Sequence, residues 1–402
     1  MLVHATDSGI ASLTPTIRSL MTERNRVSRT FFPREAPRLA LACREMANRF
    51  ARGGRLLACG YGPYATDAQH VAVEFVHPVI VGKRALPALD LSAAPRALLA
   101  ALARPDDIVM GFASPAGDPE IAAALSEAHV HGAQTFALPG EASSYAVDSP
   151  SRDPFVHQEM IEVLYHTLWE TVHVYLEHQQ AGHDIGAAGF LYPFLGEAQQ
   201  DTTAVVDEVA SSIRAKAATD ERLRDETAAT QATAIARAAL VMCERIAAGG
   251  TVLPFGNGGS ATDANDFALD LAAPPKPGPS IRAISLSMEP ATLSAIANDI
   301  GREAMFLRQI IAHGRPGDVA VAISTSGGSG NIIAALEEAR KRDIVTIALL
   351  GYDGGEIVRR GLADIPLVVD CDYIPRIQEV QASIYHVLID ALHVLLRAEP
   401  AA

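Results

Sequence analysis

Two glycine- and serine-rich segments in the C-terminal half of the chain have the composition of a phosphate-binding site. Gly256-Asn257-Gly258-Gly259-Ser260 and Ser324-Thr325-Ser326-Gly327-Gly328-Ser329 each follow a short apolar run and precede a helical pattern. Glycines let the backbone approach a ligand closely, while hydroxyls and the amides at a helix N-terminus donate hydrogen bonds to an anion. Either turn alone is also typical of an ordinary helix cap. The two together, at adjacent strand ends, predict a phosphate site.

A second chemical signal is a histidine followed four residues later by a glutamate, at His70 and Glu74. A helix places residues at this spacing on one face. Such a pair suits proton transfer or metal binding, and an ion pair on a helix surface is the alternative interpretation.

Near the end of each half, a glutamine and a histidine stand eight residues apart, as Gln158 with His166 and as Gln378 with His386. Eight residues rise about 12 Å along a helix, so both side chains reach one small ion only if they stretch towards each other. Contribution from two different domains or chains is therefore one interpretation of these pairs. Packing of the histidines inside a helix bundle is the other.

The chain contains an internal repeat. Residues 60–68 and 256–264 match at a constant offset of 196 residues (256 minus 60), which indicates a tandem duplication into halves of about 200 residues. The expected domains are residues 1–195 and 196–402, with a glycine-rich linker at Gln180–Gln200.

The two copies have kept different residues. Pro63 and Tyr64 stand in the first half where the second has Gly259 and Ser260, and Asp118 adds a negative charge where the second half has hydroxyls. A proline removes an amide donor and a carboxylate repels an anion, so the first half is not expected to bind phosphate. At the positions that match His70 and Glu74, the second half has Asp266 and Asp270.

The order of apolar runs predicts an α/β fold. Each half begins with a helical pattern that a Gly-Gly pair ends, and a strand, a glycine turn and a new helix follow. Both halves end in a long amphipathic helix. The expected architecture is two domains, each a doubly wound parallel sheet flanked by helices. Strands are predicted at 56–59, 107–112, 134–138, 251–255, 318–323 and 345–350.

Composition excludes several classes of function. The formal charge is −14 and Lys and Arg form no cluster, which argues against a nucleic-acid partner. Four cysteines without C-x-x-C spacing favour free thiols over disulfides or zinc ligands. Without a signal-like N-terminus or an apolar run of about 18 residues, we expect a cytoplasmic protein with no membrane partner.

The two phosphate-type turns, together with Asn298-Asp299 and Arg376-Ile377-Gln378-Glu379, resemble the sugar isomerase (SIS) domain of the phosphoheptose isomerase family. The resemblance is close over residues 230–396 and looser over the first half. It implies two tandem SIS domains, the first of them degenerate. It also implies that Asn298, Asp299 and Gln378 contact the sugar and that a set of polar residues holds the phosphate: Asn257, Ser260, Ser324, Thr325, Ser326 and Ser329.

The family resemblance further implies an acid–base set. Glu74 is the expected base, with His166 or His386 as its partner; the sequence leaves that choice open. In zinc-containing members, residues at these positions hold the metal, which makes zinc the expected cofactor and excludes a nucleotide cofactor. The candidate ligands are His70, Glu74, Gln158, His166, Gln378 and His386, with one Gln and one His for each site. The chain departs from the family at Pro375 and Phe155, where the family has Asp.

The expected function is isomerisation of sedoheptulose 7-phosphate to an aldose heptose 7-phosphate through an enediolate. Phosphate binding and proton transfer would belong to opposite halves of one composite site. Because the family forms homotetramers, a homodimer of tandem chains is expected. A non-catalytic SIS protein is the alternative: a sugar-phosphate sensor, or a scaffold like the DnaA initiator-associating protein. Another aldose–ketose isomerase or an amino-sugar phosphate enzyme would share the site and differ in the sugar.

Overall fold

The computed structural model describes residues 6–80, 82–141, 144–180 and 202–398. Almost all of the expected linker, and the expected division near residue 195, lie outside these ranges. The described chain forms two compact units. The first unit is Arg26–Thr219; the second combines the described residues up to Asn25 with those from Asp220 onward.

Each of two long helices contributes to both units, because the units divide within them. Helix α1 spans Asp7–Ala51 and helix α6 spans Thr202–Ala247. In the second unit, the start of α1 is bound to α6: Asn25 Nδ2 donates to the Glu221 carbonyl and to Asp225 Oδ1, both at 2.8 Å. The segment before residue 36 was not predicted to be helical.

The first unit contains a parallel sheet of five strands in the order β2-β1-β3-β4-β5. Its elements between the long helices are β1 (Leu56–Gly60), α2 (Tyr64–Val76), β2 (Ala88–Asp90), α3 (Pro95–Leu102), β3 (Ile108–Phe112), α4 (Pro119–Val130), β4 (Gln134–Leu138), β5 (Tyr145–Ala146) and α5 (Pro154–Gln180).

The second unit contains a parallel sheet of four strands in the order β6-β7-β8-β9. After α6 its elements are β6 (Val252–Gly256), α7 (Gly259–Ala272), α8 (Pro290–Asp299), α9 (Ala304–His313), β7 (Val319–Ser324), α10 (Gly330–Lys341), β8 (Val345–Leu350), α11 (Gly355–Arg359), β9 (Ile365–Val368) and α12 (Ile374–Ala398). In the part of the chain that is described, no helix combines the length and the apolar character that crossing a membrane requires.

Both sheets have helices on their two faces, which confirms the predicted α/β class. In the first sheet, Leu56 and Ala58 belong to one buried cluster with α1, α2 and α5, whereas Leu57 and Cys59 belong to another with α3 and α4. This alternation follows from the two-residue period of a strand. All six predicted strands are present, with ends shifted by one residue at most.

The described cysteines are free, as predicted, and they differ in access. Cys43, Cys59 and Cys243 are buried, and Cys371 is half-buried. Burial raises the pKa of the Cys59 thiol to about 12. Because the thiolate is the reactive form, we expect an aromatic disulfide reagent at pH 8 to modify one thiol of the native protein, Cys371, and all four in denaturant. Rapid labelling of two or more thiols before unfolding would contradict this assignment.

Candidate functional site

The two glycine- and serine-rich turns of the second unit lie next to each other. They follow β6 and β7, which are neighbouring parallel strands with Gly256 paired to Ile323. The side chains of the two turns are joined directly, because Asn257 Nδ2 donates to Asn331 Oδ1 at 3.0 Å and Asn331 Nδ2 donates to Asn257 Oδ1 at 2.8 Å. The structure therefore brings both predicted phosphate loops to one edge of one sheet.

The helices that follow these turns begin without a side-chain cap. Helix α7 starts after Gly258, whose φ of +57° lies in the left-handed region that favours glycine. Helix α10 starts after Ser329, whose hydroxyl caps no amide of the helix. In the first turn of α10, the Ile332 amide donates to Asn331 Oδ1 at 3.0 Å. Two adjacent helix N-termini whose preceding residues make no side-chain cap are suited to an anion through their dipoles and remaining amides.

The hydroxyls of the second turn shape its backbone. Ser324 Oγ accepts from the Gly327 amide at 3.2 Å, and Ser326 Oγ accepts from the Gly328 amide at 3.3 Å. Ser260 and Ser324 are buried and Ser326 is exposed. The turn thus presents hydroxyls from a buried floor to an open rim, which is the arrangement a phosphate group on a soluble substrate requires.

Two of the predicted sugar-binding residues lie at the end of α8. Asn298 and Asp299 are exposed, and Asn298 Nδ2 donates to Asp299 Oδ1 at 2.8 Å. No residue of α8 is buried. The third predicted sugar-binding residue, Gln378, is buried on α12 beside the ion pair of Arg376 with Glu379.

The matching turns of the first unit differ in a way that concerns anion binding. Pro63 stands at the start of α2 and has no amide hydrogen to donate. At the start of α4, Asp118 accepts hydrogen bonds from the amides of Glu120 and Ile121, at 2.9 and 3.0 Å. The carboxylate of the protein itself thus uses amides that a phosphate would otherwise bind. This supports the prediction that the first unit does not bind phosphate here.

His157 lies beside this degenerate turn and is held as a neutral imidazole. Its Nε2 donates to the Ala113 carbonyl at 3.1 Å, and its Nδ1 lies 3.0 Å from the Ser149 hydroxyl. Burial lowers the pKa of His157 from its ordinary 6.5 to about 4. Because this pKa is depressed on folding, the stabilisation is complete above about pH 6.5 and is lost as the pH falls towards 4.

We expect a corresponding pH dependence of stability. Between pH 7 and pH 5, the free energy of unfolding of the wild-type chain should fall by about 2 kcal/mol more than that of His157→Gln, which carries no titrating ring. Urea titrations of both proteins at the two pH values measure the difference. Equal losses in the two proteins would show that folding does not lower the pKa of His157.

The predicted acid–base residues His70, Glu74 and His166 come together inside the first unit. His70 and Glu74 lie on α2, and His166 lies on α5, which packs against it. His70 Nε2 is 3.3 Å from His166 Nε2 and 3.9 Å from Glu74 Oε1. All three side chains are buried. Within this unit, the histidine close to the Glu74 pair is therefore His166.

Glu162 is a fourth member of this group that the sequence interpretation missed. Oxygen and nitrogen atoms of His70, Glu162 and His166 lie within 4.8 Å of one another. Glu162 stands four residues before His166, a Glu-x-x-x-His spacing that mirrors the His-x-x-x-Glu of α2. That spacing is visible in the sequence. Only the packing of α5 on α2, however, distinguishes Glu162 from the other acidic residues of α5. We call His70, Glu74, Glu162 and His166 the first-unit cluster.

The predicted glutamine ligand of this unit lies elsewhere along α5. Gln158 is buried, and its Nε2 donates to Thr66 Oγ1 at 3.4 Å. Thr66 is one helical turn before His70 on α2. Gln158 and His166 thus contact successive turns of α2.

The second unit has a related group that the sequence interpretation also missed. His386 Nε2 lies 3.4 Å from Asp266 Oδ2 and 3.3 Å from Asp270 Oδ2, and Tyr385 donates to Asp266 Oδ2 at 2.8 Å. Burial, with the charge of Asp266 as the next cause, raises the pKa of Asp270. His386, a candidate partner of Glu74, is therefore bound to two aspartates within its own unit.

Comparisons with known proteins agree with these observations. The family model described as "SIS domain" matches residues 217–351. Phosphoheptose isomerases from Shewanella sp. strain ANA-3 and from Shewanella baltica strain OS155 are each 42% identical to the chain over 163 residues, which is 39% of this chain and 80% of each relative.

A comparison of structures extends the similarity of fold to almost the whole chain. The C-terminal domain of glucosamine-fructose-6-phosphate aminotransferase from Francisella tularensis matches with a TM-score of 0.52 at 10% identity. The match covers 94% of this chain and 96% of that one. At this identity the likeness concerns the fold alone.

Proposed function

Because this chain belongs to the phosphoheptose isomerase family of SIS-domain proteins, we propose that it isomerises a heptose phosphate, converting sedoheptulose 7-phosphate into the aldose heptose 7-phosphate. The observation that supports this most is the complementary retention of two residue sets. The second unit has uncapped helix N-termini beside Ser324 and Ser326, and the first unit has the buried Glu74 with His70 and His166.

The proposed reaction moves one proton between C1 and C2. The carboxylate of Glu74 removes a proton from the carbon beside the carbonyl, which gives an enediolate, and returns it to the neighbouring carbon. Without a metal, the imidazole of His166 moves a proton between the two oxygens, so that the carbonyl forms at the other position. With its Nε2 bound to zinc the ring could not do this, and the metal would stabilise the charge on the oxygens instead. Phosphate binding at Ser260, Ser324, Thr325, Ser326 and Ser329 with Asn257 holds the reacting end in place.

A metal ion is part of the proposal. Two imidazole nitrogens and carboxylates are ligands that zinc accepts, and His70 and His166 are the residues that would hold it. When bound there, zinc would stabilise the negative charge on the enediolate oxygens as a Lewis acid. Asn298, Asp299 and Gln378 are proposed to contact the sugar hydroxyls.

The proposed site uses residues of both units for one substrate. About 15 Å of helix separates the start of α2 from Glu74, which exceeds the length of a heptose phosphate. A phosphate turn and a base on the same helix would therefore not serve opposite ends of one substrate. We propose that the second unit supplies the phosphate contacts and the first unit the base, in a homodimer of chains located in the cytoplasm.

Mixing two inactive variants tests the proposal. Glu74→Gln and Ser326→Ala are purified separately and assayed for conversion of sedoheptulose 7-phosphate, alone and after mixing. Each alone should lose most activity. Recovery on mixing would show that the two sets come from different chains; no recovery would favour one chain. Full turnover by either variant alone would contradict the composite site. Binding of the sugar phosphate without turnover by the wild type would favour the sensor or scaffold alternative.

A further inference from the structure

We propose that Glu162, and not Glu74, is the carboxylate ligand of a zinc site formed with His70 and His166, so that Glu74 stays available as the base. The inference rests on the proposed function only for the role of Glu74. Zinc binding itself needs no substrate. Sequence patterns and family resemblance instead suggest Glu74 and Gln158 as the ligands.

The separation of the two imidazoles is the first argument. A tetrahedral zinc ion with bonds of about 2.0–2.1 Å to nitrogen holds two ligand nitrogens about 3.3–3.4 Å apart. His70 Nε2 and His166 Nε2 are 3.3 Å apart. The two rings are inclined by 71°, so they do not stack.

The position of the carboxylates is the second argument. Among the described residues, the group of ligand atoms that are all within 4.8 Å of one another contains Glu162 together with His70 and His166, and it does not contain Glu74. Glu74 Oε1 lies 3.9 Å from His70 Nε2. Two histidines and one glutamate form a donor set that leaves a fourth position of zinc open.

The second unit provides a natural comparison. Gln158 and Gln378 match at an offset of 220 residues (378 minus 158), and at this offset Glu162 matches Ala382 and His166 matches His386. His70 is matched by Asp266. The second unit therefore has no imidazole at the position of His70 and no carboxylate at the position of Glu162. Its remaining group, Asp266, Asp270 and His386, has more oxygen donors and is less suited to zinc.

Assigning the metal to Glu162 separates two roles that one carboxylate would have to share. A carboxylate bound to zinc has its lone pairs engaged and its basicity lowered by the ion. If Glu162 binds the metal, Glu74 keeps a carboxylate able to accept a proton.

Zinc binding to the metal-free full-length protein tests the assignment, by competition with a chromophoric chelator and by the visible absorption of the Co²⁺ form. Glu162→Gln should lower zinc affinity by about a hundredfold or more, His70→Ala and His166→Ala at least as much, and Glu74→Gln by less than about threefold. Thermal unfolding of the metal-free variants, with Glu162→Ala as the variant that copies Ala382, shows whether each is folded.

Four results would overturn the assignment. The first is wild-type affinity in a folded Glu162 variant. The second is an equal loss in Glu74→Gln. The third is a wild-type chain that binds no zinc, in which case the two imidazoles share only a hydrogen bond. Loss of zinc on His386→Ala but not on His166→Ala would move the metal to the second unit. Because none of these measurements uses a sugar phosphate, failure here is distinct from absence of isomerase activity.

Discussion

Replacing Glu74 by Gln should lower kcat for sedoheptulose 7-phosphate by about a thousandfold, within the range for loss of a general base. Gln keeps the size and the hydrogen-bonding ability of the side chain but cannot accept a proton. The proposed phosphate contacts belong to the other unit and are unchanged by this substitution, so KM should stay within about threefold. Steady-state kinetics with the ketose substrate, read out by formation of the aldose, measure both values.

The matched control for this variant is Asp270→Asn, at the position that corresponds to Glu74 in the second unit. Asp270 is buried and contacts His386, and the proposed reaction does not use it. We expect Asp270→Asn to keep kcat within about threefold once folding is verified by thermal unfolding. The reverse pattern, an active Glu74→Gln and an inactive Asp270→Asn, would place the base in the second unit and would contradict the division of roles.

The sheets were predictable from the sequence because their central strands are buried on both faces. Ile108–Phe112 and Val345–Leu350 are fully buried, so they appear as continuous apolar runs. The strand Ala88–Asp90 was missed because it is three residues long and only Ala88 is buried. The early half of α1 was also missed, although its buried residues Leu13, Ile17 and Met21 recur every four residues, as in a helix.

Candidate site residues differ in how far the sequence could locate them. The predicted phosphate turns could be located from local sequence alone, because glycines and hydroxyl residues next to a strand end favour a turn of this conformation. The first-unit cluster depends on the crossing of α2 and α5, which are about ninety residues apart in the chain. The sequence could identify His70 with Glu74 on one helix. It could not show that Glu162, rather than Gln158, faces His70.

The prediction that the first unit does not bind phosphate gained a physical explanation from the structure. The sequence indicated repulsion by Asp118. The structure adds that this carboxylate accepts hydrogen bonds from the amides at the start of α4, whereas the matching hydroxyl of Ser329 accepts none from the amides of α10. From the sequence alone, an Asp118 that only repels a phosphate cannot be distinguished from one that binds the helix amides in place of the phosphate.

Among substitutions that add one methyl group to the second turn, Gly327→Ala should weaken phosphate binding the most. Gly327 has a φ of +60°, and a Cβ atom there would lie 2.2 Å from the Gly354 carbonyl oxygen. The clash is with backbone on the neighbouring β8–α11 connection, so a side-chain rotation cannot relieve it. The turn must move, and the Ser324 hydroxyl loses its bond from the Gly327 amide.

Loss of one charge-assisted phosphate contact costs about 1.5–3 kcal/mol, which corresponds to an increase in KM of about tenfold or more.

The neighbouring Gly328 is the matched control. A Cβ atom there meets nothing closer than the Ser326 carbonyl and hydroxyl oxygens, both at 3.9 Å, and its φ is outside the left-handed region. Gly328→Ala should therefore keep KM within about twofold. Because the two variants add the same methyl group to the same turn, an equal KM in both would mean that the conformation of this turn does not determine phosphate binding, and the anion site would have to be sought elsewhere in the chain.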